Sequence, residues 1–188
     1  MSMKRKGLLF VMSGPSGTGK GTICAEIGKT DDIFMSISNT TRDKRAGEKE
    51  GETYYYVSRD EFERMIRDGE MLEYAEYNGN YYGTNKNRVA EALEAGKDVL
   101  LEIEPQGALQ IKKLFPDAVL IFVLPPSMET LKERLISRGR ESLDKIKERI
   151  NAAEWELSQQ DKYDYKVIND DLKTCVKDVL DIFKKKRG

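Results

Sequence analysis

LLFVMSGPSGTGKGT, residues Leu8 to Thr22, decides how the rest of this chain is read. Leu8 to Met12 are continuously apolar, the composition of a strand buried on both faces of a parallel sheet. Gly14, Gly17 and Gly19 follow, then Lys20, then a helical pattern through Ile23, Glu26 and Ile27. The run Gly14, Pro15, Ser16, Gly17, Thr18, Gly19, Lys20 has the spacing G-x-x-x-x-G-K of a phosphate-cradling loop. Glycines let successive N–H groups turn toward one concave spot, with no Cβ to block a phosphate. The helix that starts there adds its positive end, and Lys20 adds a full charge toward the outer phosphates. One position departs from the pattern. Gly21 stands where Ser or Thr is expected, and Thr22 comes one place later. A magnesium-ligating hydroxyl is therefore displaced, which leaves Thr22 directly, or Glu102 through water, as candidate metal contacts.

Working outward, 188 residues suffice for one domain with a substantial core. The formal net charge of -1 gives no global basic field, so nucleic acid is not an expected partner. No apolar run approaches the ~20 residues of a membrane span, and MSMKRKG is too short for a signal peptide. The only cysteines, Cys24 and Cys175, do not make a disulfide framework, so the expected compartment is the cytoplasm. The chain contains no histidine, which excludes a Ser–His or Cys–His nucleophile and any histidine metal site. The basic residues Lys184 to Arg187 read as a solvated helix end. A monomer and a homodimer fit the sequence equally.

Along the chain, Phe34 to Ser38 reads as a short strand and Asn39 to Gly51 as a charged loop carrying Arg42 and Arg45. Thr53 to Val57 is β-prone, and Ser58 with Glu61 forms a capping-box signature for a helix ending at Gly69. Met71 to Tyr77 alternates as a strand, Asn78-Gly79 signals a hairpin, and Tyr81 to Thr84 follow. Residues 37–84 thus form a small β-rich insertion that must lean on a larger sheet. Asn85 caps the next helix. Val99 to Glu104 is a second buried strand, with Glu102 and Glu104 expected on one face and Pro105 ending the ladder. Val119 to Leu124 is a third, ended by Pro125-Pro126. Ser127 caps a helix carrying Arg134 and Arg138 on one side. After a break at 139–143 comes a helix striped with Ile146, Ile150, Ala153 and Leu157, then a strand at 166–169 and a last helix. Buried strands alternating with helices mean an α/β fold, a parallel sheet covered on both faces, with ligands beyond the carboxyl ends of its strands.

The chemistry follows from which groups gather there. Arg42 and Arg45 suit a phosphate dianion, and the hydroxyls of Tyr54, Tyr81 and Tyr82 suit its remaining oxygens. Glu73 and Glu104 are acceptor-only when ionised. A carboxylate can take both adjacent donors of guanine, its ring N–H and its amine, while Ser38 or Thr84 donates to the carbonyl oxygen. Adenine would leave that carboxylate unpaired at a dry site. A phosphate acceptor is already mostly dianionic near neutrality, so the missing histidine is no obstacle. Alignment and charge neutralisation suffice, with Arg134, Arg138 and Arg149 placed on helices flanking the break as a closing flap requires.

These residues resemble the guanylate kinases, a family of nucleoside monophosphate kinases. The resemblance rests on SGPSGTGKGT at 13–22, SISNTTRDKRAGE at 36–48, GEMLEYAEYNGNYYGT at 69–84, LLEIEPQGA at 100–108, FPDAVLIFVLPPS at 115–127 and INDDL at 168–172. It implies a P-loop type fold with a core (1–36, 85–126 and 151–188), a GMP-binding subdomain (about 37–84) and a lid (about 127–150). It also implies the reaction ATP + GMP giving ADP + GDP, with Mg2+. Position by position, it puts Ser38, Glu73, Thr84 and Glu104 on guanine and Arg42, Arg45, Tyr54 and Tyr82 on the GMP phosphate. The ATP phosphates fall to residues 14–22, catalysis to Lys20 with Arg42, and the lid clamp to Arg134, Arg138 and Arg149. Asn169 lies near the adenine side. Glu104 and Pro105 depart from the usual pattern, in which Asp stands at the first position. Two rivals remain: a scaffold of the same fold that binds protein partners, and a kinase for another small acceptor. The intact phosphate loop argues against the first, and Ser38, Glu73 and Thr84 together argue against the second.

Overall fold

The computed structural model describes residues 5–77, 79–137 and 143–188, Leu143 in its backbone alone. Its centre is a five-stranded, wholly parallel sheet. In spatial order the strands are β2 (Ile33–Met35), β7 (Asp98–Glu102), β1 (Leu9–Ser13), β8 (Val119–Leu124) and β9 (Tyr165–Ile168). All five residues of β1 are buried, as continuous apolar character requires of a central parallel strand. Its alternate side chains feed two cores. Phe10 and Met12 face α1 (Lys20–Ile27) and α7 (Leu172–Arg187), where Phe10 stacks on Phe183. Leu9 and Val11 face α3 (Lys86–Glu94) and α4 (Pro105–Leu114). Each fully buried side chain of this size is worth about 1.5–3 kcal/mol.

A second, four-stranded sheet stands beyond the carboxyl ends of β1 and β7. Its order is β4 (Tyr55–Tyr56), β3 (Asn39–Thr40), β6 (Asn80–Asn85) and β5 (Met71–Tyr77), with α2 (Arg59–Arg67) packed against it. β5 and β6 form the antiparallel hairpin that Asn78-Gly79 announced, although Asn78 lies outside the described residues. α5 (Met128–Ser137) and α6 (Leu143–Ser158) share a small cluster of Leu131, Leu135 and Ala153.

Several sequence expectations are corrected. The strand expected at 34–38 is Ile33–Met35, and residues 39–40, read as loop, are a strand. Their partners are Gly83 and Tyr82, some forty residues away, so no local pattern announces the pairing. β7 ends at Glu102, so Glu104 does not share its strand face: it is the residue before α4, and Pro105 opens that helix at a position where a missing N–H costs nothing. Ser58 caps α2 by accepting from the Glu61 N–H, but the Glu61 carboxylate pairs with Arg64 instead of reaching back. The C-terminal tail is not wholly solvated. Arg187 ion-pairs with fully buried Asp98 at 2.6 Å, while Arg5 meets the other carboxylate oxygen at 2.9 Å. Both ends of the chain are thereby tied to the start of β7.

Candidate active site

The turn from β1 into α1 forms the loop. Gly14 has φ 148° and Gly19 has φ 85°, and a Cβ on either would collide, with Val123 O at 2.4 Å and Asn169 Nδ2 at 2.5 Å. Only glycine fits these two positions. Thr18 is buried and donates its hydroxyl to Pro15 O at 2.8 Å, closing the loop on itself. No side chain caps α1; the Thr22 and Ile23 N–H groups turn back to Gly19 O, and the N–H groups of Lys20 and Gly21 before them are left for another acceptor. Lys20 is buried, its ammonium bonded to Gly14 O and, at 3.0 Å, to Pro15 O. An ammonium has three donors, so one remains for an incoming oxygen.

From Lys20 a cleft of about 1040 Å³ runs across to the four-stranded sheet. Ser16, Lys20 and Gly21 line its near end, and Ser38, Arg42, Arg45, Tyr54, Glu73 and Tyr82 line the far wall. Glu102 and Glu104 lie between them. Glu73 is 6% exposed and its carboxylate accepts from the Thr84 hydroxyl at 2.7 Å. β5–β6 register sets this pair directly opposite one another. Directly opposed residues of an antiparallel pair share a face, so Thr84 stands beside Glu73 and donates its hydroxyl to the carboxylate there. Burial pushes the Glu73 pKa up, and the Thr84 bonds only partly offset this. Gly107 of α4 makes room for it: a Cβ there would stand 2.7 Å from Glu73 Oε2.

Arg42 is held from several sides. Its Nη2 donates to Glu48 Oε1 at 2.7 Å, its Nη1 to Asp43 O at 2.7 Å, and its guanidinium carbon lies 5.5 Å from the Tyr54 ring centre. The bond to Glu48 raises the Arg42 pKa further. The Arg45 side chain is exposed at the cleft. Tyr54 and Tyr82 meet edge to face at 5.9 Å, and burial raises the Tyr54 pKa.

On the loop side, Arg149 of α6 donates to Ser16 Oγ at 3.1 Å, and Arg134 of α5 reaches Asn169 O at 3.4 Å. Asn169 in turn donates Nδ2 to Thr18 O at 2.7 Å, so it braces the loop and does not line the cleft. Arg138 lies outside the described residues. Thr22 is exposed on α1 and absent from the cleft wall, two residues and so about 200° round the helix from Lys20. Glu102, by contrast, faces Gly21: a Cβ there would stand 3.9 Å from both its oxygens. Glu102 is open to the cleft yet crowded by its floor, and this desolvation raises its pKa, with Lys20 opposing. Among the described residues no group of three or more acidic, cysteine or histidine side chains forms a metal cage.

Sequence reasoning missed two acids. Glu48 was one charge among many in a polar loop. At Glu156 of α6, desolvation first and then the charge of Glu104 raise the pKa. Only a helix face pattern was visible there, and Glu156 sits one place from the apolar stripe.

A family model described as Guanylate kinase matches residues 6–186. The chain belongs to the guanylate kinase family. It is 50% identical to the guanylate kinase of Oceanobacillus iheyensis over 97% of this chain and 89% of that protein. Against a guanylate kinase of Thermus thermophilus the identity is 51%, over 97% of this chain and 83% of that protein. Its fold is similar to the crystal structure of guanylate kinase from Anaplasma phagocytophilum, with a TM-score of 0.79 and 34% identity over 97% of this chain and 87% of that one. Among the described residues no helix is long and apolar enough to cross a membrane.

Proposed function

We propose that the chain transfers the terminal phosphoryl group of ATP to GMP, giving ADP and GDP. One observation carries this reading beyond family membership: a single cleft joins the lysine-bearing loop to a wall holding two arginines and a buried carboxylate. The loop amides and Lys20 hold the ATP phosphates in line. Arg42 and Arg45 take the GMP phosphate, with Tyr54 and Tyr82 beside them. Glu73 accepts from the guanine ring N–H and amine, which offsets the cost of its burial, while Ser38, Thr84 and Glu104 complete the base site. The acceptor is its own nucleophile as a dianion, so no side chain need take a proton. Arg134 and Arg149 neutralise charge in the transition state.

The residues fit a divalent ion at one place. Glu102 is a hard oxygen donor on the cleft wall, beside Gly21 and open to the cleft. A divalent ion held there would supply positive charge against the phosphates as the phosphoryl group moves. Glu102 would hold it through water, and Thr22 is poorly placed to do so. We assign residues 37–84 as the GMP-binding subdomain and 127–150 as a lid, with the reaction in the cytoplasm, where Cys24 and Cys175 stay reduced. The test is an assay with ATP and each of GMP, AMP, CMP and UMP. Turnover with GMP alone is expected. No turnover with any acceptor would favour the scaffold reading, and turnover with another nucleotide alone would move the assignment to it.

A further inference from the structure

Glu48 lies in the loop between β3 and β4, and its carboxylate is committed entirely to the acceptor wall. Oε1 accepts from Arg42 Nη2 at 2.7 Å, and Oε2 accepts from both the Arg45 N–H and the Tyr56 hydroxyl at 2.8 Å. Its own N–H donates to Arg45 O at 3.1 Å, so residues 45–48 close into a turn around the carboxylate. The Arg42 bond, first among these, holds the Glu48 pKa down to about 2, so the group is an anion at every working pH.

We propose that Glu48 is the positioning residue of the acceptor-phosphate subsite, fixing the Arg42 guanidinium and the Arg45 turn before GMP arrives. This rests on the reading that Arg42 and Arg45 receive the GMP phosphate. An arginine side chain is among the most costly to order, and a guanidinium already clamped on both arms loses little freedom when a phosphate docks. With Nη2 on Glu48 and Nη1 on Asp43, Arg42 keeps further N–H groups for the ligand. Glu48 also repels the incoming phosphate. That repulsion is reduced because the Glu48 charge is paired with Arg42 at 2.7 Å.

The test is calorimetric binding of GMP, guanosine and ATP to wild type, E48A and E48Q. E48A is expected to weaken GMP by about tenfold, and E48Q, which keeps the shape and one acceptor, by about threefold. Guanosine, lacking the phosphate, and ATP should bind as to wild type. GMP affinity within twofold of wild type in E48A overturns the proposal. So does an equal loss for GMP and guanosine, since the effect would then be on the whole wall. If E48A does not fold, E48Q decides, with GMP affinity unchanged from wild type overturning the proposal. Failure of wild type to bind GMP would instead overturn the acceptor reading itself.

Discussion

At the phosphate loop the binding groups are main-chain amides held by glycines, and the contacts that close it, Thr18 on Pro15 and Lys20 on Gly14, lie within six residues, with Asn169 bracing Thr18 O from outside the loop. Across the cleft the four-stranded sheet offers side chains, and each is set by another side chain or by the close approach of another residue. Glu73 is backed by Thr84 and accommodated by Gly107; Arg42 is braced by Glu48. The two ends of one cleft therefore differ in kind. The loop is a local backbone device that any phosphate chain can use. The opposite wall is a set of pairwise arrangements, able to discriminate because a missing ligand donor leaves a buried acceptor unsatisfied.

This contrast can be broken by substitution. Lys20→Ala should produce the largest loss, lowering kcat about 100- to 1,000-fold, since it removes charge placed where charge moves. A steady-state assay checks it, and near-normal turnover would remove Lys20 from the chemistry. Glu73→Gln should raise the KM for GMP about 10- to 100-fold and leave that for ATP unchanged; equal effects would erase the distinction between the two ends.

The same substitution sharpens the comparison through stability. Glu73 has a folded-state pKa above its unfolded value. Its protonated form contributes fully below the unfolded pKa of about 4.3, and that contribution is lost as pH rises through the folded value. Without ligand, Glu73→Gln should therefore melt higher than wild type at neutral pH, by about 1–4 °C, and the gap should close toward pH 4. A thermal melt across pH 4–8 reads this directly. Asp98→Asn should have the smallest effect on catalysis. It breaks a buried ion-pair set far from the cleft, so about 3 kcal/mol of stability should be lost in denaturant titration while both KM values hold. A changed KM would mean that the ends of the chain are coupled to the site.

The same contrast explains what the sequence disclosed. The loop was legible because glycine spacing, lysine and flanking strand lie within fifteen residues. The parallel core was legible because β1, β7 and β8 each carry a continuous apolar run, Val99 to Leu101 in β7. Arg42, Glu73 and the tyrosines could be named from residue type, but their arrangement could not. Thr84 could be named beside Glu73, but the bond between them could not, since it depends on the β5–β6 register. Glu48 is one charge among many in a polar loop whose turn no residue pattern marks, and Asp98, at the first position of a strand otherwise apolar to Leu101, has its partners some ninety residues away. Arg187 looked like a solvated tail because its partner lies 89 residues away.

The central claim is that the Glu73 carboxylate chooses guanine by accepting two donors. The most direct measurement is kcat/KM for GMP and for IMP, which lacks the exocyclic amine, in wild type and in Glu73→Gln. The account predicts a strong preference for GMP in wild type, about tenfold or more, that shrinks severalfold in the variant. A preference of the same size in both proteins would contradict it.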